Sequence, residues 1–219
     1  MFEYKGVKIS WLGHAAFRLT NANGKVVYID PYDIKAAAPA DIILITHEHY
    51  DHRNSADVQK IIKDKTVIVT TAAAQDKLRT INAQFLMVVP GKSYSIDGVK
   101  IEAVPAYNVD KFRSPGVPYH PEKDNKVGFI ITMNDVRIYH AGDTDLIPGL
   151  ETTVKNIDIA MLPVCGTYVM SAEEAAEAVK KIKPRIAIPM HYGSIVGTRE
   201  DAYRFEKLAK CEVKILKKE

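Results

Sequence analysis

The stretch IILITHEHYDH, residues 42–52, places three histidines and one aspartate within six positions, directly after four aliphatic residues. The aliphatic run predicts a buried strand, and apolar residues at helical spacing in 55–62 predict a helix after it. A loop between a strand and a helix can aim alternate side chains into one cavity, and imidazoles and carboxylates are the usual ligands of zinc, manganese and iron. We therefore predict that His47 and His49 reach one metal ion and that Asp51 and His52 reach a second.

The alternative for this stretch is a polar turn that caps the helix, with histidines exposed at random. The chain has only seven histidines in 219 residues, so three of them within six positions argue against that alternative. A metal site is the preferred interpretation.

The composition predicts one domain over residues 1–219, because 47% hydrophobic and 26% charged residues suffice for a substantial core. The 30 basic and 27 acidic residues leave a net charge of +3, which is too small to predict a nucleic-acid surface. Cys165 and Cys211 form no CxxC pair, so neither a disulfide framework nor a thiolate zinc site is expected. With no signal-peptide pattern and no apolar run of about 20 residues, we expect a cytoplasmic protein without a membrane segment.

The predicted elements follow a repeating order: a meander of strands, alternating strands and helices, hairpins at Asp97-Gly98 and Asn134-Asp135, then alternation again. Residues 107–126, with three prolines, predict a loop that covers the active site. Two similar β-rich halves flanked by helices predict an α+β fold, a four-layer αββα sandwich of two mixed sheets rather than a doubly wound sheet. The predicted strands are 7–11, 16–19, 26–29, 42–45, 67–69, 86–89, 93–96, 99–104, 127–132, 136–139, 159–162, 186–188 and 213–216, and the predicted helices are 55–62, one from about 71, 171–182 and 198–209.

The pattern HxHxDH after a buried strand resembles the signature of the metallo-β-lactamase fold superfamily, and the similarity extends over nearly the whole chain. The segment YHAGDT, residues 139–144, is similar to the setting of that superfamily's metal-bridging aspartate, which implies this role for Asp143. The segment IPMHYG, residues 188–193, resembles the setting of a late histidine, so His191 would join Asp51 and His52 at the second metal.

The segment WLGHAAF, residues 11–17, resembles an UlaG-like or UPF0173-like subgroup of that superfamily. In that subgroup a histidine here approaches the metal site, which implies that His14 orients a ligand or contacts substrate, and the alternative is a residue of a surface turn. Asp30-Pro31 fits the same subgroup, but it is equally well explained as the start of a turn. His140 is expected to be structural, on the other or a buried face of its strand.

The chain departs from the superfamily pattern at the third histidine of the first metal, where Asn108 stands. An amide oxygen is a weaker ligand than imidazole, so this metal is held less tightly, is harder than zinc, or recruits another donor. His120 is the nearest such donor, and we leave three roles for it: metal ligand, substrate contact or surface residue.

The resemblance implies a metal-dependent hydrolase with a mono- or dinuclear site, where a metal-bound hydroxide attacks an ester, lactone or phosphodiester of a small molecule. Asp51 would orient that hydroxide and receive its proton, and His14, His120 or Tyr192 would protonate the leaving group. Two divalent ions are expected, zinc first, with manganese, nickel and iron as alternatives. An iron-dependent redox enzyme, a nuclease and a non-enzymatic metal-binding module are the rival functions, and a homo-oligomer is left open.

Overall fold

The structure is a computed structural model that describes residues 1–35 and 38–219. It divides into two compact units, the first formed by Met1–Val88 with Leu216–Glu219 and the second by Val89–Ile215. Each unit contains one seven-stranded mixed sheet and its own helices. The expected α+β class, with two mixed sheets and flanking helices, is confirmed, whereas the single domain over 1–219 stays a prediction.

In the first unit the strands stand in the sheet in chain order. Strands β1 to β4 pair antiparallel, and β4 to β7 pair parallel. The carboxyl ends of β4 and β5 therefore meet at the same edge of the sheet, where the HxHxDH loop follows β5. The elements are β1 Phe2–Tyr4, β2 Val7–Gly13, β3 Ala16–Thr20, β4 Val26–Ile29, β5 Ile42–Ile45, α1 Ser55–Ile61, β6 Val67–Thr70, α2 Ala72–Asp76 and β7 Gln84–Met87.

The core of the first unit forms because every residue of β5 is buried. One hydrophobic cluster joins Ile43 and Ile45 of β5 to Val58 and Ile61 of α1. The side chain of Asn54 accepts a hydrogen bond from the backbone N–H of Asp57 and so caps α1. This cap fixes where the HxHxDH loop ends and the helix begins.

The second unit repeats the change from antiparallel to parallel pairing, with the sheet order β16-β15-β14-β13-β12-β9-β8. Strands β8, β9, β12 and β13 pair antiparallel, and β13 to β16 pair parallel. The elements are β8 Ser93–Ile96, β9 Val99–Pro105, β10 Phe112–Ser114, β11 Val117–Pro118, β12 Val127–Met133, β13 Val136–His140, α3 Leu150–Thr153, β14 Ile159–Pro163, α4 Ala172–Ile182, β15 Ile186–Met190, α5 Arg199–Leu208 and β16 Glu212–Val213.

Local sequence signals explain several boundaries in the second unit. Asn134 and Asp135 both have positive φ, 48° and 60°, as the two-residue turn between β12 and β13 requires. Ser171 and Glu174 form the expected capping box at the start of α4, which contacts β14 and α5. The predicted cover loop 107–126 contains the short β10–β11 hairpin and a 3₁₀ turn, Glu122–Asp124.

Most predicted strands and helices are confirmed within two residues of their observed ends. One strand is shifted by two residues, and one is three residues shorter at its C-terminal end. The strand predicted at 86–89 is Gln84–Met87, because its pairing with β6 begins at the polar Gln84. The strand predicted at 213–216 is only Glu212–Val213, because the last residues leave this sheet and belong to the first unit. None of the helices in the described ranges has the length and apolar character to cross a membrane.

Candidate metal centre

Eight histidine and carboxylate side chains of the described residues have the chemistry and the grouping to hold a metal ion. Five belong to the first unit and three to the second. They are His14, His47, His49, Asp51, His52, His120, Asp143 and His191.

In the first unit, Asp30 organises the histidines of the HxHxDH loop. It follows β4 with a φ of 45°, and its buried carboxylate accepts hydrogen bonds from Thr46 N at 2.8 Å and Thr46 Oγ1 at 2.7 Å. His52 Nδ1 lies 2.8 Å from Asp30 Oδ2, so His52 carries its proton on Nδ1 and presents Nε2 as a donor for metal. Asp30 therefore contacts two residues of the HxHxDH loop, which favours its interpretation as a site residue over that of a turn residue alone.

His47 is fixed in the same way by its neighbour Thr46. Thr46 Oγ1 uses its hydrogen to bond Asp30, so at 2.9 Å it must accept the Nδ1–H of His47. His47 Nε2 then lies 3.1 Å from His49 Nδ1. Two nitrogens bound to one tetrahedral zinc ion at about 2.0–2.1 Å are about 3.3 Å apart, so the pair is spaced for a common metal.

The third group in the first unit consists of His14, Asp51 and His52. Asp51 Oδ2 lies 3.0 Å from His14 Nε2 and 3.8 Å from His52 Nε2. His14 is buried, so the alternative of a surface turn is wrong. Its φ of 50°, together with a hydrogen bond from Trp11 Nε1 to its carbonyl oxygen at 2.9 Å, holds the turn between β2 and β3. The geometry makes His14 a candidate ligand beside Asp51, in addition to the orienting or substrate role expected for it.

In the second unit, one carboxylate oxygen lies near two imidazoles. Asp143 Oδ2 is 3.4 Å from His120 Nε2 and 3.2 Å from His191 Nε2, and all three residues are buried. Asp143 follows β13, His191 follows β15 with a φ of 61°, and His120 precedes β12. A carboxylate between two histidine donors has the arrangement that a metal-bridging aspartate requires.

The structure clarifies the roles of Asn108 and His120. Asn108 Oδ1 accepts hydrogen bonds from His120 N at 2.7 Å and from His120 Nδ1 at 2.8 Å, while Asn108 Nδ2 donates to Asp145 and to the carbonyl of Tyr168. The expectation of Asn108 as a metal ligand is therefore not supported, because its amide oxygen is engaged in orienting His120. His120 is buried, so its assignment as a surface residue is wrong.

His191 has a sulfur neighbour that sequence reasoning did not find. Its Nδ1 lies 3.4 Å from the thiol of the half-buried Cys165, and Gly197 packs so closely on Cys165 that an added Cβ would lie 2.7 Å from the Cβ of that cysteine. Burial alone would lower the pKa of His191, but the adjacent Asp143 raises it to about 10. The Asp143 carboxylate thus favours the protonated form of His191 in the metal-free chain.

Two other expected residues lie close to these donors in sequence. Tyr192 is buried, and this burial raises the pKa of its hydroxyl to about 12. His140 is fully buried at the end of β13, where its Nδ1 accepts a hydrogen bond from Gly142 N at 3.2 Å. It is absent from the candidate ligand groups, in agreement with the structural role expected for it.

Sequence reasoning also missed Asp145, a fully buried carboxylate two residues after Asp143. It accepts hydrogen bonds from the Asn108 side chain and from the backbone of residues 109 and 110, in the loop that follows β9. Burial raises the pKa of Asp145, although these hydrogen bonds and the Lys111 ammonium act in the opposite direction. The only signal in the sequence is its place in Asp143-Thr144-Asp145, which does not reveal its partners.

Comparison with known proteins agrees with this class of fold. A profile of the β-lactamase superfamily domain matches residues 8–191. A UPF0173 metal-dependent hydrolase from Thermococcus onnurineus is 36% identical, and the match covers 96% of each chain. Another from Pyrococcus horikoshii is 35% identical, again over 96% of each chain. A solved structure of a candidate metal-dependent hydrolase from Parabacteroides distasonis has a TM-score of 0.83 and 34% identity, covering 96% of this chain and 94% of that one.

The two mixed sheets and the superfamily match define a metallo-β-lactamase-type protein. Within that class, the relatives show that the chain belongs to the UPF0173 family of metal-dependent hydrolases. The expected family and the expected dependence on metal are thereby confirmed. The identity of the metal, the substrate and the residues that bind them remain proposals.

Proposed function

We propose that the chain hydrolyses an ester, lactone or phosphodiester of a small molecule at a two-metal centre. The first ion is assigned to His47, His49, His120 and Asp143, and the second to His14, Asp51, His52 and His191. Asp143 Oδ2, which lies near a histidine of each set, is assigned as the bridging ligand. This assignment keeps all six ligands expected from the sequence and adds His14 and His120.

The observation that carries the proposal is that four of these histidines have Nδ1 held by a neighbouring side chain. The pairs are His47 with Thr46, His52 with Asp30, His120 with Asn108 and His191 with Cys165. Metal-binding histidines characteristically have the second ring nitrogen engaged in this way, because it fixes the tautomer and the ring orientation. The donor set therefore fits a metal centre, with neutral nitrogen and carboxylate ligands that suit zinc and, as alternatives, manganese, nickel or iron.

Two divalent ions at these residues would lower the pKa of a shared water and supply hydroxide at neutral pH. Asp51 is assigned to orient the attacking water and accept its proton, and His14 Nε2, 3.0 Å from Asp51 Oδ2, is assigned to the same ion as Asp51. Tyr192 keeps its proton at neutral pH because its pKa is about 12, so its hydroxyl is assigned to donate a hydrogen bond to substrate or leaving group. A small-molecule substrate, a cytoplasmic location and a homo-oligomer stay predictions.

The experiment is metal reconstitution followed by a substrate screen. The purified chain is loaded with zinc, manganese, nickel or iron, its bound metal is quantified, and it is assayed against lactone, phosphodiester, thioester and β-lactam substrates. We expect two metal equivalents and hydrolysis of a lactone, ester or phosphodiester, with hydrolysis and one metal equivalent lost in His47→Ala. Gln59→Ala is the matched control, because Gln59 is exposed on the helix that follows the metal-binding loop.

Absence of bound metal after reconstitution would contradict the proposal. Iron binding with oxygen consumption and no hydrolysis would favour the redox alternative. Salt-dependent binding and cleavage of nucleic acid would favour the nuclease.

A further inference from the structure

We propose that Asp145 is a positioning residue that holds His120 ready for metal by fixing the amide of Asn108. The inference rests on the proposed function, in which His120 is a ligand of the first metal. It concerns neither a ligand nor a reacting group. Asp145 acts through two intermediate side chains, each of which has only one compatible hydrogen-bonding orientation.

The first step is the environment of the Asp145 carboxylate. Oδ2 accepts hydrogen bonds from the backbone N–H groups of Val109 at 2.8 Å, Asp110 at 3.0 Å and Lys111 at 3.3 Å. Oδ1 accepts a hydrogen bond from Asn108 Nδ2 at 2.9 Å. Both oxygens therefore act as acceptors only, and the residue joins the end of β13 to the loop that follows β9.

The second step is the orientation of the Asn108 amide. Its NH₂ group donates to Asp145 Oδ1 and to the carbonyl oxygen of Tyr168, each at 2.9 Å. Two acceptors on this side require that the nitrogen, and not the oxygen, points towards them. The amide oxygen must then point towards His120, where it accepts the backbone N–H at 2.7 Å and Nδ1–H at 2.8 Å.

The third step is the ring of His120. Because an amide oxygen can only accept, the proton of His120 is placed on Nδ1, and Nε2 is directed towards Asp143 Oδ2 at 3.4 Å. The backbone of Asn108 also donates to the carbonyl of His120 at 2.9 Å. Three hydrogen bonds to Asn108 thus hold His120, although it lies in a loop.

The charge of Asp145 is balanced by the ammonium group of Lys111. Lys111 Nζ lies 3.8 Å from Asp145 Oδ1 and binds Glu174 at 2.8 and 3.0 Å, next to the N-terminus of α4. This ion pair ties the loop to the helix. It leaves the Asp145 oxygens committed to the loop backbone and to Asn108.

Replacing Asp145 by Asn keeps the shape but exchanges one acceptor for an NH₂ group. If the amide oxygen of the variant still accepts from the three backbone N–H groups, the NH₂ group of the variant faces the NH₂ group of Asn108. Asn108 must then rotate its amide by about 180°. His120 Nδ1 then meets a donor and has to accept, so the proton moves to Nε2, the atom intended for metal. If the new oxygen keeps Asn108 instead, the NH₂ faces three backbone donors and the loop is displaced.

The test compares wild type and Asp145→Asn in two measurements. Zinc affinity is measured for each equivalent by competition with a chromophoric chelator, and the side-chain Nδ1–H signal of His120 is recorded by ¹H–¹⁵N NMR in metal-free protein, assigned with His120→Gln. We expect Asp145→Asn to lose the Nδ1–H signal and to bind one of two zinc equivalents about 10- to 100-fold more weakly. The other equivalent should keep its wild-type affinity.

The matched control is Asp64→Asn, the same chemical change on an exposed aspartate between α1 and β6 of the first unit, which should match wild type. An unchanged signal and unchanged zinc affinities in Asp145→Asn would overturn the inference. If that variant gives no cooperative melt, Asn108→Ala replaces it, with the same weakening expected and wild-type affinities contradicting it. A wild type that binds fewer than two zinc ions would contradict the two-metal proposal, and the Nδ1–H signal would still decide the role of Asp145.

Discussion

The two units place an aspartate after equivalent strands and use it differently. β4 and β13 are both the strand at which antiparallel pairing gives way to parallel pairing. After β4, Asp30 bonds Thr46 and His52 and serves as an orienting residue. After β13, Asp143 lies beside two histidine Nε2 atoms and is itself a candidate ligand. The same position in the topology thus supports ligands in one unit and supplies one in the other.

The difference follows from where the histidines come from. In the first unit, four of the five donors lie in one loop after β5, so a single buried carboxylate can align its neighbours. In the second unit, His120, Asp143 and His191 come from three separate connections, and each histidine needs its own partner, Asn108 or Cys165. One carboxylate can therefore align a compact donor loop, whereas each histidine of a dispersed donor set needs a partner of its own.

Asp143→Ala should cause the largest loss of activity and of bound metal. It distinguishes a residue that binds metal from one that only orients ligands. Loss of the bridging carboxylate removes a donor from both proposed metals, and metal ions supply several kcal/mol of transition-state stabilisation. We expect hydrolysis to fall by about 10³-fold or more, with metal content falling as well. Both are measured by activity assay and elemental analysis. Asp64→Ala, which alters an exposed aspartate, is the control, and a variant that retains two metals would end the bridging assignment.

Asp30→Asn should show a smaller effect, because Asp30 supports ligands without binding metal in our assignment. One of its carboxylate oxygens receives both Thr46 Oγ1 and His52 Nδ1, and an NH₂ group there could accept neither. We expect zinc affinity to fall by about 10- to 100-fold while two equivalents still bind at saturation. Chelator competition measures both values. A loss as complete as that of Asp143→Ala would remove the distinction between the two aspartates.

The same comparison explains what the sequence could predict. The donors His47 to His52 were readable because they follow one apolar strand within a few residues. Assigning Asp143 and His191 required the resemblance to a family, since no spacing rule links separate strand ends. The sequence leaves the role of Asn108 open, because its partners, His120 and Asp145, lie 12 and 37 residues away. Asp30 remained ambiguous because Asp-Pro is also a common turn pattern.

The strand boundaries show the same limit. The exposed edge strand β7 begins at Gln84 because register with β6 sets its start, whereas its apolar residues predicted a later one. The C-terminal strand was predicted too long, because Glu219 instead bonds Ser10 and Arg18 in the first unit. In both places a residue distant in sequence determines the strand boundary, and the local sequence pattern cannot predict that contact.

Gly128→Ala tests how tightly the second unit holds the strand end that leads to Asp143. An added Cβ at Gly128 would lie 2.7 Å from Ala141 O and 2.8 Å from His140 O, both backbone atoms that cannot move away easily. In the first unit the corresponding strand carries Ala16, which already has a Cβ. Overpacking of this kind costs about 1–3 kcal/mol, so we expect the free energy of unfolding to fall by that amount in urea titrations. Lys100→Ala on the neighbouring strand is the control, and an unchanged midpoint would contradict the close packing.

The smallest expected effect concerns how stability depends on pH, through the ion pair between His191 and Asp143. Asp30 has no such role in our assignment, because it orients neutral imidazole rings. In metal-free protein Asp143 raises the pKa of His191 from 6.5 to about 10. A folded-state pKa above the unfolded one gives stability that is fully present below pH 6.5 and is lost as the pH rises through about 10. We therefore expect the melting temperature of chelator-treated protein to fall between pH 6.5 and 10, and to fall less in His191→Gln. Equal slopes in the two proteins would show that the ion pair does not form. Zinc-loaded wild type should lack this slope, because a metal-bound imidazole has already given up that proton.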